Sequence, residues 1–148
     1  MKAYFGRRYV LSASHRLHSE ALSAEENRAA YGKCNNPHGH GHNYVVEVLV
    51  GGEVDRETGM VVNMSLLDET VSVLVRDRFD HTNLNLDSLF VNRVPTTENL
   101  CRGVFRLLKD ALPAGELVYV RVEETENNFF QCYDAGEDSW PGVQQLFG

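Results

Sequence analysis

The chain has 148 residues, 43% of them hydrophobic, which is enough for one ordinary core, so we expect a single domain over residues 1–148. A net charge of −7 and a pI near 5.3 argue against nucleic acid or an anionic membrane as a partner, because the protein's field repels polyanions. No apolar stretch is long enough for a signal peptide or a membrane span, and three cysteines are typical of reduced thiols, so we expect a cytoplasmic protein.

Two strands and a short helix are predicted in the first third of the chain. Residues 2–11 and 43–50 are rich in β-branched and aromatic side chains, which favours strands. The polar segment between them contains a capping box that starts at Ser23. A short helix over residues 25–31 can then end at Gly32.

Two longer helices are predicted in the middle of the chain. Apolar residues recur at three- and four-residue spacing over residues 67–79, with Ser65 as the candidate cap. The second helix begins with Thr96 or Thr97 as its cap and stops at Pro113. We expect an irregular loop between the two helices.

The remaining strands complete a small α+β fold. Residues 117–124 and 129–133, joined by a tight turn, predict a hairpin. The order ββααββ predicts a four-stranded antiparallel sheet with two helices packed on one face. Such a sheet has two free edges, which are usually covered or paired, so we expect an oligomer. Residues 134–148 are expected to form a peripheral tail.

Five of the six histidines lie between residues 15 and 42, which indicates a metal site. In a strand, side chains two residues apart point to the same side, so His40 and His42 can bind one ion. His15 ends the first strand, and an adjacent antiparallel strand can bring it alongside. Three histidines with an open position are typical of catalytic zinc, although imidazole also suits copper, iron and nickel. A flexible loop that binds metal adventitiously is the alternative interpretation.

Cys34 lies a few residues before these histidines. A thiol close to a metal cation and to Lys33 has a lowered pKa and can act as a base or nucleophile near neutral pH. The alternative is a small buried hydrophobic residue, which is the preferred interpretation of Cys101 and Cys132.

Three other titratable residues are candidates for the site. The carboxylate of Asp80 can orient the adjacent His81 for proton transfer, although such pairs also occur by chance. Glu124 continues the alternating valine face of its strand, where a carboxylate needs a hydrogen-bonding or cationic partner. It can accept two parallel N–H bonds from a pterin or guanine ring, or it can simply face water where the strand ends.

The chain resembles the eukaryotic-type 6-pyruvoyl-tetrahydropterin synthases. The resemblance runs in unbroken order over about residues 5–133, so it is more specific than any single motif. The segments that carry it are residues 12–18, 22–27, 32–37, 39–44, 96–99 and 124–128.

The resemblance implies the tunnelling fold, in which three sheets join into a barrel and two barrels stack as a homohexamer, a dimer of trimers. Active sites would then lie at subunit interfaces. The matching positions are the zinc ligands His15, His40 and His42, the catalytic Cys34, Asp80 and His81, and the pterin-binding Glu124, Thr96 and Thr97.

The resemblance also implies a reaction and its cofactors. The family converts 7,8-dihydroneopterin triphosphate to 6-pyruvoyl-tetrahydropterin, in tetrahydrobiopterin synthesis, by eliminating triphosphate and moving two electrons from the side chain into the ring. The expectation is a zinc-dependent lyase with a pterin triphosphate as its small-molecule partner. Mg²⁺ would assist at the triphosphate, as in the family.

His38 departs from the family's pattern and leaves an alternative open. Five residues separate Cys34 from His40, which is the pyruvoyl-type spacing, whereas three separate it from His38. The shorter spacing resembles the 6-carboxy-tetrahydropterin synthases of queuosine synthesis. The neighbouring residues 43–44 favour the first spacing. A non-catalytic pterin- or metal-binding member of the fold is the other alternative.

Overall fold

A computed structural model describes residues 1–134. All of the predicted tail except Asp134 therefore lies outside the described residues. The strands are β1 (Lys2–His15), β2 (His40–Glu53), β3 (Thr82–Asn83), β4 (Glu116–Thr125) and β5 (Asn128–Tyr133). The helices are α1 (Ala24–Tyr31), α2 (Met64–Val71), α3 (Asp77–Phe79) and α4 (Thr97–Lys109), with a π-helical segment (Ser72–Arg76) between α2 and α3. Strands β1 and β2 are longer than predicted, and their added residues carry the histidines.

The predicted α+β fold is confirmed, with one correction to the sheet. The strand order is β3-β1-β2-β4-β5, and β1, β2, β4 and β5 form the expected antiparallel sheet. The fifth strand, β3, is only two residues long and lies parallel to β1, with Ala13 opposite Thr82. Two residues are too few to show a period-two pattern, so nothing local in the predicted loop indicated this strand.

The helices cover one face of this sheet. Residues of odd number in β1 and even number in β2 point to that face, where Leu11 pairs in register with the fully buried Tyr44. Leu67 of α2 and Leu100 of α4 are also fully buried and complete a single core. In β4 a bulge shifts the register, so Leu117 is buried and Val118 is not, contrary to the simple alternation.

Side-chain caps start the helices. Ser23 accepts a hydrogen bond from the Glu26 N–H at the start of α1, as predicted, and Thr96 accepts one from the Asn99 N–H at the start of α4. The cap of α2 is Asn63, which accepts from the Leu66 N–H, and not Ser65, because the helix begins one residue before Ser65. Within residues 1–134, no helix combines the length and the apolar character that crossing a membrane requires.

The other face of the sheet carries polar and aromatic residues. Arg8 forms an ion pair of 2.7 Å with Glu47, which also accepts a hydrogen bond from the Tyr119 hydroxyl. The Arg121 guanidinium lies 3.6 Å from the centre of the Phe129 ring. Among the described strands, most of β1 is paired on one side only, and β5 forms the opposite edge.

Candidate metal centre and active site

Three histidines converge where β1 and β2 meet at the end of the sheet. His15 and His40 are register partners, and His42 follows two residues later on the same face of β2. The Nε2 atoms of His15 and His40 are 3.0 Å apart, close to the roughly 3.3 Å that separates two nitrogens on one tetrahedral zinc ion. The His42 ring centroid lies 5.0 Å from that of His15 and 4.8 Å from that of His40. The strand register therefore gathers three imidazoles around one point.

Glu124 completes the cluster. Its Oε1 atom lies 3.1 Å from His42 Nε2 and 3.6 Å from His15 Nε2, and its Oε2 atom accepts a hydrogen bond of 2.8 Å from the Asn128 side chain. One candidate ligand atom from each of the three histidines and Glu124 lies within 4.8 Å of the others. Glu124 has this position because a bulge near the end of β4 interrupts its pairing with β5.

The protonation of the histidines suits metal binding. His15 Nδ1 is 2.8 Å from the Pro95 carbonyl oxygen, which can only accept, so Nδ1 carries the proton and Nε2 keeps its lone pair. Burial lowers the pKa of both His15 and His42, which favours the neutral, ligating form. His42 Nε2 is buried and makes no hydrogen bond of good geometry among residues 1–134. A buried nitrogen without such a bond fits a ligand position, so the residues fit a divalent metal.

Cys34 follows α1 in the chain and lies near Glu124 of the cluster. It belongs to a short 3₁₀ helix, and its carbonyl accepts a hydrogen bond of 2.9 Å from Leu17, two residues beyond His15. Burial raises the pKa of the Cys34 thiol, and the charge of Glu124 raises it further. The predicted lowering of the pKa concerns a thiol beside a bound cation, so it stays a prediction. A bound cation would act in the opposite direction.

Asp80 and His81 lie beside β1. Asp80 Oδ1 accepts a hydrogen bond of 2.8 Å from the Ser12 N–H, and the His81 N–H donates to the Ser12 carbonyl at 2.6 Å. His81 has a φ of 58° and an 83% exposed side chain, with Nε2 3.7 Å from Asp80 Oδ2. Within residues 1–134, no hydrogen bond or ion pair joins the two to Cys34. His81 instead lines an open cavity of about 450 Å³ that His42 also lines.

Thr96 and Thr97 lie at the start of α4, next to the carbonyl that holds His15. Thr96 is occupied as the helix cap. Thr97 is 3% exposed, and its hydroxyl oxygen makes no hydrogen bond of good geometry among residues 1–134.

The Pro95 carbonyl and Tyr44 are site residues that the sequence did not reveal. Tyr44 lies two residues after His42 and therefore on the same face of β2, and this spacing is the feature of the sequence that could have indicated it.

His38 lies outside the metal cluster. The cluster in the described residues contains His15, His40 and His42, and five residues separate Cys34 from His40. His38 lines a smaller cavity of about 190 Å³ beside Arg16, whose Nε donates to the Asn35 carbonyl at 3.2 Å.

These features define a class of protein: an α+β fold in which two paired strands present three histidines, with a carboxylate from a third strand, as a group that can hold a metal ion. The family model described as 6-pyruvoyl tetrahydropterin synthase matches residues 5–135. The chain belongs to this family.

Named relatives agree with this membership. The chain is 48% identical over 128 residues to the human 6-pyruvoyl tetrahydrobiopterin synthase, covering 86% of this chain and 88% of that protein. It is 47% identical over 128 residues to the Drosophila melanogaster protein of the same name, covering 85% and 76%. The solved structure of Caenorhabditis elegans 6-pyruvoyl tetrahydropterin synthase superimposes with a TM-score of 0.87 at 41% identity, covering 91% and 97%. The similarity thus extends over nearly the whole chain.

Proposed function

We propose that the chain is a zinc-dependent lyase that converts 7,8-dihydroneopterin triphosphate to 6-pyruvoyl-tetrahydropterin with release of triphosphate, for tetrahydrobiopterin synthesis. The observation that carries the proposal is the convergence of His15, His40, His42 and Glu124 in a member of this family. The relatives that are 47–48% identical and bear the name of this synthase support it.

In this proposal His15, His40 and His42 hold the metal through Nε2. Zinc bound there supplies Lewis-acid polarisation of the hydroxyls on the substrate side chain. The Pro95 carbonyl keeps His15 in the tautomer that leaves Nε2 free. Neutral histidines bind a cation without first losing a proton, so the site is ready near neutral pH.

Cys34 is the proposed base. Its thiolate takes a proton from a carbon of the substrate side chain while the C–O bond to triphosphate breaks and the triphosphate leaves. The two electrons that reduce the ring come from the side chain, so no external oxidant or reductant is needed. Burial and, after it, the charge of Glu124 raise the pKa of Cys34, so a positive charge or a donor that engages Glu124 favours the thiolate.

Glu124, Thr96 and Thr97 are the proposed contacts for the pterin ring. A carboxylate accepts two parallel N–H bonds, which matches the donor edge of the ring. The Asn128 side chain donates a hydrogen bond to Oε2 of Glu124. The buried Thr97 hydroxyl, which lacks a good hydrogen bond in the described residues, has capacity for another group.

His81, oriented by Asp80, is the proposed proton shuttle, and its ring is 83% exposed. We further propose a cytoplasmic homohexamer, a dimer of trimers, in which the edges β1 and β5 of neighbouring chains pair and His81 faces another subunit. Mg²⁺ would assist at the triphosphate.

The test is incubation of the purified protein with 7,8-dihydroneopterin triphosphate and identification of the products by mass spectrometry. We expect triphosphate and 6-pyruvoyl-tetrahydropterin. Formation of 6-carboxy-tetrahydropterin with acetaldehyde would assign the queuosine-type reaction instead. No turnover of this substrate by zinc-loaded protein would indicate a non-catalytic member.

The Cys34→Ala variant tests the base. We expect turnover to be lost while the zinc content of the protein stays at the wild-type level. Cys132→Ala, which removes a thiol from β5, is the matched control and should keep turnover. If Cys34→Ala turns over normally, Cys34 has no part in the mechanism.

A further inference from the structure

A fully buried tyrosine packs against two of the three clustered histidines. Tyr44 points to the helix-covered face of β2, two residues beyond His42, and none of its surface is exposed. Its ring meets the His42 ring with centroids 5.5 Å apart and the His15 ring with centroids 6.2 Å apart, both near edge-on. These contacts restrict the rotation of both imidazoles.

The Tyr44 hydroxyl also reaches the polar side of His15. It lies 3.3 Å from Nδ1, whose N–H already donates to the Pro95 carbonyl at 2.8 Å. The His15 Nδ1–H therefore faces two oxygens, and its contact with the Tyr44 hydroxyl is the longer and weaker of the two. The proton of the Tyr44 hydroxyl needs another acceptor, because a buried O–H without one is costly.

Thr97 is the nearby group that can complete this arrangement. Its oxygen is buried and makes no hydrogen bond of standard geometry among residues 1–134. Thr97 lies two residues beyond Pro95, and its side chain interacts with that of Tyr44. A hydrogen bond between the two hydroxyls would link β2 to the first residue of α4.

We propose that Tyr44 is a positioning residue of the metal centre, which holds the rings of His15 and His42 so that their Nε2 atoms face one divalent cation. Thr97, the first residue of α4, holds the hydroxyl of Tyr44. This rests on the proposed function, because it requires the clustered histidines to be the metal ligands. Groups that hydrogen-bond to ligating histidines typically change metal affinity by about 10–100-fold.

Tyr44→Phe tests the proposal because it removes the hydroxyl and keeps the ring. We expect zinc affinity to fall by about 10-fold or more, measured on metal-free protein by competition with a chromophoric chelator. The visible absorption of the cobalt-substituted protein should shift, because the geometry of the ligands changes. Thr97→Val should weaken zinc binding in the same direction and add little to Tyr44→Phe.

Tyr9→Phe is the matched control. Tyr9 is another buried tyrosine on the same face of the sheet, and its hydroxyl donates to Asp68 at 2.7 Å. Within residues 1–134 it makes no hydrogen bond or ring contact with the histidines. Removal of the Tyr9 hydroxyl should leave the zinc affinity and the visible spectrum of the cobalt-substituted protein unchanged. A folded Tyr44→Phe protein that binds zinc as tightly as Tyr9→Phe would overturn the proposal. If Tyr44→Phe does not fold, unchanged zinc affinity in Thr97→Val would overturn it.

His15→Ala separates this proposal from the proposed function. If His15→Ala loses zinc binding and Tyr44→Phe does not, the positioning role fails and the metal centre stands. If His15→Ala binds zinc like the wild-type protein, the ligand assignment fails, and the role of Tyr44 fails with it.

Discussion

Glu124 Oε1 lies 3.1 Å from His42 Nε2, although the two residues are not register partners. Strands β2 and β4 pair only as far as Val45 and Glu123, and the contact forms just beyond that last pair. The bulge at the end of β4 turns the Glu124 side chain toward the histidines. One carboxylate from a third strand thereby lies beside two of the clustered histidines.

Glu124→Gln should weaken substrate binding and turnover while leaving zinc content unchanged. The glutamine amide keeps the shape of the carboxylate but replaces one acceptor oxygen with a donor. One of the two hydrogen bonds that the carboxylate accepts from the pterin ring is therefore lost. Loss of a hydrogen bond to a charged group costs about 1.5–3 kcal/mol, which is roughly 10–150-fold in kcat/KM.

The control for this change is Glu123→Gln, because Glu123 points to the opposite face of β4 and pairs with Arg121. It should keep nearly wild-type kcat/KM. Loss of zinc from Glu124→Gln would instead identify Glu124 as a metal ligand, contrary to the proposed assignment. Steady-state kinetics and metal analysis on the same preparations distinguish the two.

The stability of the metal-free protein should fall as the pH drops below about 6.5. Burial lowers the pKa of His15 and His42 from the ordinary value of 6.5, so the unfolded chain takes up protons before the native one. The free energy of unfolding then rises with pH below this value and levels off above it. Denaturant unfolding in a chelator between pH 5 and 8 measures this.

In the same experiment His15→Gln should reduce the slope below pH 6.5, because it removes one of the two histidines whose pKa burial lowers. A replacement at the exposed His38 should leave the wild-type slope. A wild-type profile that is level through this pH range would contradict the prediction.

Asn63→Ala should destabilise the protein by about 1 kcal/mol, because it removes the side chain that accepts from the Leu66 N–H at the start of α2. Ser65→Ala is the matched control and should change the free energy of unfolding by less than about 0.5 kcal/mol. Both are measured by denaturant unfolding. A larger loss in Ser65→Ala than in Asn63→Ala would restore the cap expected from the sequence.

Gly39→Ala should damage both the fold and the metal centre. Gly39 has a φ of 71°, and an added Cβ would lie 2.8 Å from the His15 carbonyl oxygen. Gly59 has a φ of 73° with nothing within 4 Å of such a Cβ, so Gly59→Ala isolates the backbone cost of about 1–2 kcal/mol.

We therefore expect Gly39→Ala to lose about 1–3 kcal/mol more than Gly59→Ala, because the backbone of His15 must move. Weaker zinc binding should accompany this loss in Gly39→Ala alone. Equal effects of the two substitutions on unfolding and on zinc affinity would rule out the steric explanation.

Much of the fold was predictable because its signals are local. Alternating and three-to-four spaced apolar residues indicated the four main strands and both long helices, and Ser23 was a recognisable cap. Strand β3 was missed because its two residues are extended only through pairing with Ala13 and Ser14. The start of α2 was misplaced because Asn63 and Ser65 are both good caps.

The sequence by itself determined which residues are available to the site and the spacing that puts His40 and His42 on one face of a strand. Only the tertiary structure decided what lies around them: the Pro95 carbonyl that sets the tautomer of His15 from 80 residues away, and the bulge that brings in Glu124. The physical reason is that side-chain periodicity follows from the backbone geometry of neighbouring residues. Strand register, bulges and burial arise from hydrogen bonds and packing between segments that are distant in the chain.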